Sequence, residues 1–296
     1  MPESILSHVP PERADALVVG VPYGEGASFG QGAARGPGAI IDCLHSQIEF
    51  FERHTRTEPA RDFSIGELML GELEGLAPQA MVATVAERLR PFSCFILTLG
   101  GTHAVSIGPL QALAGRLDPR NVTILQIDAH LDLRDDDSDY NDVAPSRFAH
   151  SCVMRRAHEL GFNLCPVGIR AYSRDELAYA ERHRLPVFEW GRGPEPALEE
   201  VLRAIPTRQV YLSVDVDGFD PSVMPATGTP VPGGLTFAYG TALIRRVFLE
   251  KEVVGADIVE TAPDGITGLT EYAAAQLCYD VLGYGLLKRA GRLRFG

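Results

Sequence analysis

The sequence predicts an α/β protein in which a mostly parallel sheet lies between two layers of helices. Short runs of β-branched residues recur along the 296 residues, and each is followed by a turn rich in Gly, Asp or Pro and then by a helical pattern. The runs are almost continuously apolar, which is typical of strands that are buried on both faces of a parallel sheet. We therefore expect a three-layer α/β/α sandwich that forms a single domain over residues 1–296.

Seven strands and five helices are predicted along the chain. The five strongest strand patterns are ALVVGVP (16–22), CFILTLGG (94–101), VTILQID (122–128), QVYLSVD (209–215) and VVGADIVE (253–260). CPVGIR (165–170) and LPVFEW (185–190) are shorter runs that we predict as additional strands. Helical patterns occupy residues 77–92, 105–117, 175–184, 195–205 and 271–289. Strands that alternate with helices in this way favour parallel pairing.

Composition and charge disfavour a nucleic-acid-binding, secreted or membrane protein. The net charge of −12 at pH 7 disfavours a nucleic-acid partner, which needs clustered Lys and Arg, and it suits a cationic substrate. The five cysteines are odd in number and lack CxxC spacing, as expected for reduced thiols in the cytoplasm. The first residues lack the pattern of a signal peptide, and no run reaches the roughly 18 apolar residues that cross a bilayer. We expect a cytoplasmic protein that does not enter a membrane.

Histidine and carboxylate side chains follow four of the predicted strands directly. The carboxyl ends of parallel strands lie at one edge of a sheet, where α/β proteins gather their functional groups. The side chains expected to meet there are His103, Asp128, His130, Asp132, Asp215, Asp217 and Glu260.

The aspartates of this set need cations if they converge. Asp128 and Asp132 alternate in an extended segment and point the same way, as do Asp215 and Asp217. Each like-charged pair at about 4 Å costs roughly 4 kcal/mol at an effective dielectric of about 20, so divalent ions are needed to balance the charge. Oxygen ligands with imidazoles and no thiolate favour Mn²⁺ before Zn²⁺ or Ni²⁺. DAHLD alone is more often an ordinary loop, but DAHLD, SVDVDGFDP and GGTHA together predict a binuclear site.

Four sequence blocks resemble those of the ureohydrolases, the arginase and agmatinase family. They are GGTHAVSIG, DAHLDLRDD, SVDVDGFDPSVMPATGTPVPGG and GADIVETAP, in the family's order and spacing. VGVPYGEGASFGQGAARGPGAI is similar to the family's N-terminal glycine-rich block, so the resemblance extends over nearly the whole chain. It implies an arginase-like fold, a small cationic guanidino substrate and a homo-oligomer, either a trimer or a hexamer.

The resemblance assigns ligands to two Mn²⁺ ions per subunit, with Ni, Co or Zn as other candidates. One ion would be held by His103, Asp128, Asp132 and Asp215. The other would be held by Asp128, His130, Asp215 and Asp217, so that two aspartates bridge the ions. A metal pair of this kind lowers the pKa of a shared water, and the bridging hydroxide can attack the poorly electrophilic guanidinium carbon.

Two further residues take catalytic roles by the same resemblance. Glu260 corresponds to the carboxylate that receives the substrate guanidinium, a planar group that pairs well with a carboxylate. His150, in SRFAHSCVMRRA, corresponds to the histidine that protonates the departing amine. The amino-acid sequence of that segment is more similar to those of agmatinases than to those of arginases.

The residues just before His150 guide the choice of substrate. Ser146 and Phe148 are predicted to contact the substrate, and an apolar side chain there suits a far end that is not an amino acid zwitterion. We therefore predict hydrolysis of agmatine to putrescine and urea. Arg147 favours a carboxylate if it faces the pocket, which keeps guanidinobutyrate and arginine as alternative substrates.

Two positions depart from the family's Gly-Gly-Asp-His-Ser block. Thr102 replaces the acid and Ala104 the hydroxyl, and residues beside a ligand commonly change metal affinity by about 10- to 100-fold. The ion held by His103 is therefore expected to be the more weakly bound one. An inactive family member that serves as a binding or assembly subunit is an alternative, as is another metallohydrolase of this fold, such as a deacetylase. The acidic run at 135–142 is predicted to be a solvated loop.

Overall fold

One sheet of eight parallel strands organises the structure. The computed structural model describes residues 4–26 and 28–296. The strands are β1 (Ala16–Val21), β2 (Ile65–Met69), β3 (Phe95–Gly100), β4 (Val122–Ile127), β5 (Asn163–Ile169), β6 (Phe188–Glu189), β7 (Gln209–Asp215) and β8 (Glu252–Val259). Their order is β2-β1-β3-β8-β7-β4-β5-β6, and each neighbouring pair is parallel. The prediction of a mostly parallel central sheet is confirmed.

All seven predicted strands are present, and the structure adds β2, which the sequence patterns did not predict. Its sequence, IGELM, places Gly66 and Glu67 in the middle of what would otherwise be an apolar run. β2 lies at the edge of the sheet beside β1, and its last residue is exposed. An edge strand does not need the continuous apolar pattern of a central parallel strand, so this element lacked the signal by which the others were found.

Helices cover both faces of the sheet. In chain order they are α1 (Gly36–Ser46), α2 (Pro59–Asp62), α3 (Pro78–Leu89), α4 (Ile107–Ala114), α5 (Val153–Glu159), α6 (Arg174–His183), α7 (Leu198–Ala204), α8 (Phe237–Glu250) and α9 (Leu269–Arg289). Side chains of α1, α7, α8 and α9 form one apolar cluster with the sheet, and side chains of α3, α4, α5 and α6 form the other. The predicted α/β/α sandwich is confirmed. No helix in residues 4–26 and 28–296 is long and apolar enough to cross a membrane.

The path of the chain leaves a crevice at the carboxyl edge of the central strands. After β3 the chain moves across the sheet to β4, and β8 and β7 later fill the gap between these two strands. Connections that leave in opposite directions from such a point open a crevice outside the carboxyl ends of the strands, where ligands bind in α/β folds. The segments that follow β3, β4, β7 and β8 carry the candidate functional residues.

Candidate metal centre and substrate cleft

The structure brings the six predicted ligands together at this crevice. His103 begins a short 3-10 turn after β3, and the DAHLD segment follows β4. Asp215 is the last residue of β7, and Asp217 lies in the 3-10 turn Val216–Gly218. Gly218 allows the close approach of two of these segments, because a Cβ there would lie 2.6 Å from the backbone nitrogen of Asp128.

A first group of ligand atoms surrounds His103. Its Nδ1 lies 2.9 Å from Asp132, 3.2 Å from Asp128 and 3.5 Å from Asp215, measured to the Oδ2 atom of each. The imidazole is fully buried, and the three carboxylates are at most a few per cent exposed. One atom each from His103, Asp128 and Asp132 lies close enough to the others to hold one metal ion.

A second group lies beside the first and shares Asp128 with it. Nδ1 of His130 is 3.1 Å from Oδ2 of Asp217 and 3.6 Å from Oδ1 of Asp128. Asp128, His130 and Asp217 can hold a second ion between them. Asp128 thus presents one oxygen to each group, which is the arrangement expected of a bridging ligand. The bridging role of Asp215 stays a prediction.

The protonation of His103 is set by a hydrogen-bonded chain behind it. The Oγ of Ser213 donates to Oδ1 of Asp257 at 2.7 Å, so it accepts from Nε2 of His103 at 3.0 Å. With its proton on Nε2, the imidazole directs the lone pair of Nδ1 at the carboxylates. Nδ1 has no hydrogen-bond partner among the described residues. A lone pair that faces carboxylates in a buried site is unfavourable without a cation, and these donors therefore fit a metal ion.

Sequence reasoning did not predict Ser213, Asp257 or Gln126 as parts of the site. Nε2 of Gln126 donates to Oδ2 of Asp128 at 2.8 Å, and so fixes the orientation of the shared ligand. Ser213 and Gln126 each lie two residues before a ligand, on the same side of their strands, and this spacing was the available signal. Thr102, in contrast, is buried with no hydrogen-bond partner for its Oγ1 among the described residues.

The carboxylates of the centre have perturbed pKa values. Burial, together with the charges of Asp217 and Asp128, raises the pKa of Asp215 well above its usual value. Burial also raises the pKa of Glu260 to about 8. Burial thus penalises the ionised forms of Asp215 and Glu260, and bound cations would offset this penalty.

Glu260 and His150 face each other across the centre. Oε1 of Glu260 accepts a hydrogen bond from the backbone nitrogen of His103 at 2.7 Å and lies 3.9 Å from Nδ1 of His150. Glu260 has a φ of 64° and Asp132 a φ of 51°, a left-handed backbone that non-glycine residues seldom adopt. Such outliers concentrate at functional sites, where surrounding structure holds them in place.

A cleft of about 320 Å³ opens over the metal centre. His130, Asp132 and His150 form its inner part. Its outer part is lined by Arg134, Tyr140, Tyr172 and Glu176, among others. The charge of Arg134 is compensated, because its guanidinium pairs with Asp139 and lies 3.8 Å from Oε2 of Glu176.

Two residues predicted to contact the substrate lie outside this cleft. Phe148 packs on the apolar cluster of α3 to α6 and lines a separate cavity with Arg147. Ser146 uses its Oγ to accept a hydrogen bond from the backbone nitrogen of Phe148 at 3.1 Å, within the loop itself. Arg147 also faces away, and its guanidinium lies 3.1 Å from both Asp135 and Glu159. The prediction that Ser146 and Phe148 contact the substrate is not supported by this placement.

The acidic run after DAHLD is an ordered loop, and the prediction that it is merely solvated was wrong for its central residue. Asp137 is only 2% exposed, and it accepts hydrogen bonds from the backbone nitrogen of Ser146 and from Nδ2 of Asn141. Asp135 pairs with three arginines, among them Arg156 at 3.0 Å. The sequence does not show which aspartate of an acidic run is buried, because burial depends on tertiary contacts.

Comparison with known proteins decides the family. A family model described as the arginase family matches residues 14–283. The chain belongs to the arginase family. This membership sets aside the deacetylase alternative, and the predicted arginase-like fold is confirmed.

Individual relatives of this arginase-family protein include ureohydrolases. A Synechocystis sp. protein named N(1)-aminopropylagmatine ureohydrolase is 36% identical over 92% of this chain and 89% of its own length. A Thermus thermophilus protein of the same name is 40% identical, over 64% of this chain and 62% of its own length. The crystal structure of the agmatine ureohydrolase of Thermoplasma volcanium superposes with a TM-score of 0.81 at 28% identity and covers 97% of this chain and 94% of that one. The arginase-family protein is therefore a guanidino hydrolase.

Proposed function

We propose that the protein is a manganese-dependent hydrolase that cleaves the guanidinium group of agmatine to putrescine and urea. The observation that carries the proposal is the position of His150 in the wall of the cleft, 3.9 Å from Glu260 and beside two ligand groups that share Asp128. A cationic guanidinium can pair there with Glu260, and the bond to be broken then lies near His150.

The proposed reaction conserves charge and atoms. The two ligand groups would hold a divalent metal pair, which would make a nucleophilic water available at neutral pH. Glu260 orients the guanidinium, the water oxygen bonds to its carbon, and the bond from carbon to the substituted nitrogen breaks. His150 passes a proton to the departing nitrogen, so that one guanidinium and one water give urea and one alkylammonium.

An amine at the far end of the substrate is favoured by the charges in the outer cleft. Arg134 is neutralised by Asp139 and Glu176, and Arg147 points into another cavity. No cation in the described part of the cleft is therefore free to pair with a substrate carboxylate. This arrangement supports agmatine over guanidinobutyrate and arginine.

N(1)-aminopropylagmatine is the second candidate substrate. Both ureohydrolases described above from Synechocystis sp. and Thermus thermophilus carry its name, and the first of them matches 92% of this chain. The volume of about 320 Å³ is in the lower part of the range of small-molecule clefts and leaves room for a chain longer than that of agmatine.

Urea release by Mn²⁺-loaded protein tests the proposal directly. We expect kcat/KM to be highest for agmatine or its aminopropyl derivative, and the ratio between the two identifies the substrate. Asp128→Asn protein treated in the same way is the inactive control. A tenfold preference for guanidinobutyrate or arginine would contradict the amine-ended substrate, and no turnover of any guanidino compound would favour the inactive binding or assembly subunit.

A further inference from the structure

The loop between β4 and α5 is folded over the cleft and held there by a buried acid. Asp137 accepts hydrogen bonds through its side chain from Ser146 and Asn141, and its backbone oxygen accepts from the nitrogen of Tyr140 at 3.1 Å. These contacts join residues 137 and 146 across the loop and tie the backbone of Tyr140 to Asp137. The side chain of Tyr140 extends from this backbone into the wall of the cleft.

Tyr140 contacts the histidine to which the proposed reaction assigns proton transfer. The centres of its ring and the imidazole of His150 are 5.9 Å apart at an angle of 58°, an aromatic contact. Its hydroxyl lies 2.8 Å from Oγ of Ser151, the residue after His150. The guanidinium carbon of Arg134 lies over the tyrosine ring, 5.8 Å from its centre.

The imidazole of His150 needs such a neighbour. Its Nε2 is buried and has no hydrogen-bond partner in residues 4–26 and 28–296, and its Nδ1 is 3.9 Å from the closest oxygen of Glu260. No short hydrogen bond therefore fixes the ring among the described residues. Packing against Tyr140 is the contact that can restrict its rotation and keep water from its face.

We propose that Tyr140 is a positioning residue for His150, which holds the imidazole against the cleft and shields it from solvent. The inference rests on the proposed function, since it concerns the group that would protonate the departing amine. Misplacement of a catalytic group by about 1 Å can cost about 100-fold in rate, so a packing contact of this kind is enough to change turnover.

Turnover by single and double variants tests the role. With whichever of agmatine and aminopropylagmatine the wild type cleaves, we expect Tyr140→Ala to lower kcat by about 10-fold or more with a smaller change in KM. Tyr140→Phe keeps the ring and should stay within about threefold of wild type, whereas Tyr140→Leu, which fills much of the same space, should resemble Tyr140→Ala. In a His150→Asn background Tyr140→Ala should have no further effect on kcat, because the residue acts through the missing imidazole.

Chemical labelling gives a readout that needs no substrate. Diethyl pyrocarbonate acylates accessible neutral imidazoles, and mass spectrometry gives the rate at each histidine, with the exposed His183 as internal reference. Tyr140→Ala should raise the rate at His150 several-fold and Tyr140→Phe should not. Tyr272→Ala is the matched control, because Tyr272 is 44% exposed and Tyr140 41%, and it lies on α9.

The outcomes separate the two proposals. Unchanged labelling of His150 in Tyr140→Ala protein, additive effects in the double variant, or a change in KM alone would each overturn the positioning role. A wild-type protein that cleaves no guanidino compound contradicts the proposed function, while the labelling rates still decide whether Tyr140 shields His150.

Discussion

Nε2 of His103 and Oγ of Ser213 lie 3.0 Å apart in the buried floor of the metal centre. Because Ser213 also donates to Asp257, the imidazole keeps its proton on Nε2 and offers Nδ1 as a ligand. The family's acid and hydroxyl beside this histidine are replaced by Thr102 and Ala104. Ser213, supported by Asp257, gives the imidazole of His103 a hydrogen-bond partner in spite of these two replacements.

Ser213→Ala should therefore weaken metal binding at His103. Loss of a partner that orients a histidine ligand commonly lowers metal affinity by about 10- to 100-fold. Titration of metal-free protein with Mn²⁺ should show the loss in one of two binding steps. Ser222→Ala is the matched control, because Ser222 is exposed and bonds to Asp220 outside the ligand groups. Equal Mn²⁺ affinities of Ser213→Ala and wild type would refute the role of Ser213.

Asp128→Asn should abolish both metal loading and activity. Asp128 belongs to both ligand groups, and an amide would remove negative charge from each of them. Metal content by mass spectrometry should fall from two ions per subunit towards none, and urea release should fall with it. Asp136→Asn, in the same acidic run, should retain both, since Asp136 accepts a local hydrogen bond from Ser138. Full activity of Asp128→Asn would end the binuclear interpretation.

The site residues that lie at the carboxyl ends of the strands were predictable from the sequence. His103, Asp128 and Asp215 were placed together correctly because the carboxyl ends of parallel strands meet at one edge whatever the details of packing. Ser213 was missed although its position two residues before Asp215 was a usable signal, and Asp257 was missed because its contact with Ser213 depends on the pairing of β7 with β8.

Loop side chains were predicted less well, for a physical reason. The direction of Phe148 depends on the apolar cluster that receives it, and the burial of Asp137 depends on Ser146 and Asn141, which fold back onto it. Neither contact follows the helix or strand periodicity of apolar residues, so the sequence pattern does not predict it. The strand β2 was missed for the related reason that Gly66 and Glu67 interrupt its pattern at the sheet edge.

His150→Asn should slow turnover while both metals stay bound. His150 belongs to neither of the two ligand groups in the described structure, so its loss should not change metal content. General acid catalysis commonly contributes about 100- to 10,000-fold, and kcat should fall within that range. His183→Asn, at an exposed position of α6, is the control and should have no effect. A loss of one metal ion in His150→Asn protein would instead make His150 a ligand.

Asp280→Asn should stabilise the protein in alkaline solution. Asp280 lies in α9, is only 7% exposed, and accepts a hydrogen bond from Gln276 that an asparagine oxygen can also accept. Burial, together with the charge of Glu52, raises the pKa of Asp280 to about 7. The unfolded chain loses this proton near an ordinary aspartate pKa of about 4, so stability falls as the pH rises from there to about 7.

Ionisation of Asp280 destabilises the folded protein fully above about pH 7 and not at all below about pH 4. We expect Asp280→Asn to raise the free energy of unfolding by about 1 to 3 kcal/mol at about pH 8, and by much less at about pH 5. Urea denaturation at the two pH values measures the difference, with Asp42→Asn as the control at an exposed position of α1. Destabilisation at the higher pH would mean that ionised Asp280 is stabilised by the nearby Arg245 and Arg53, whose charges oppose the effect of burial on its pKa.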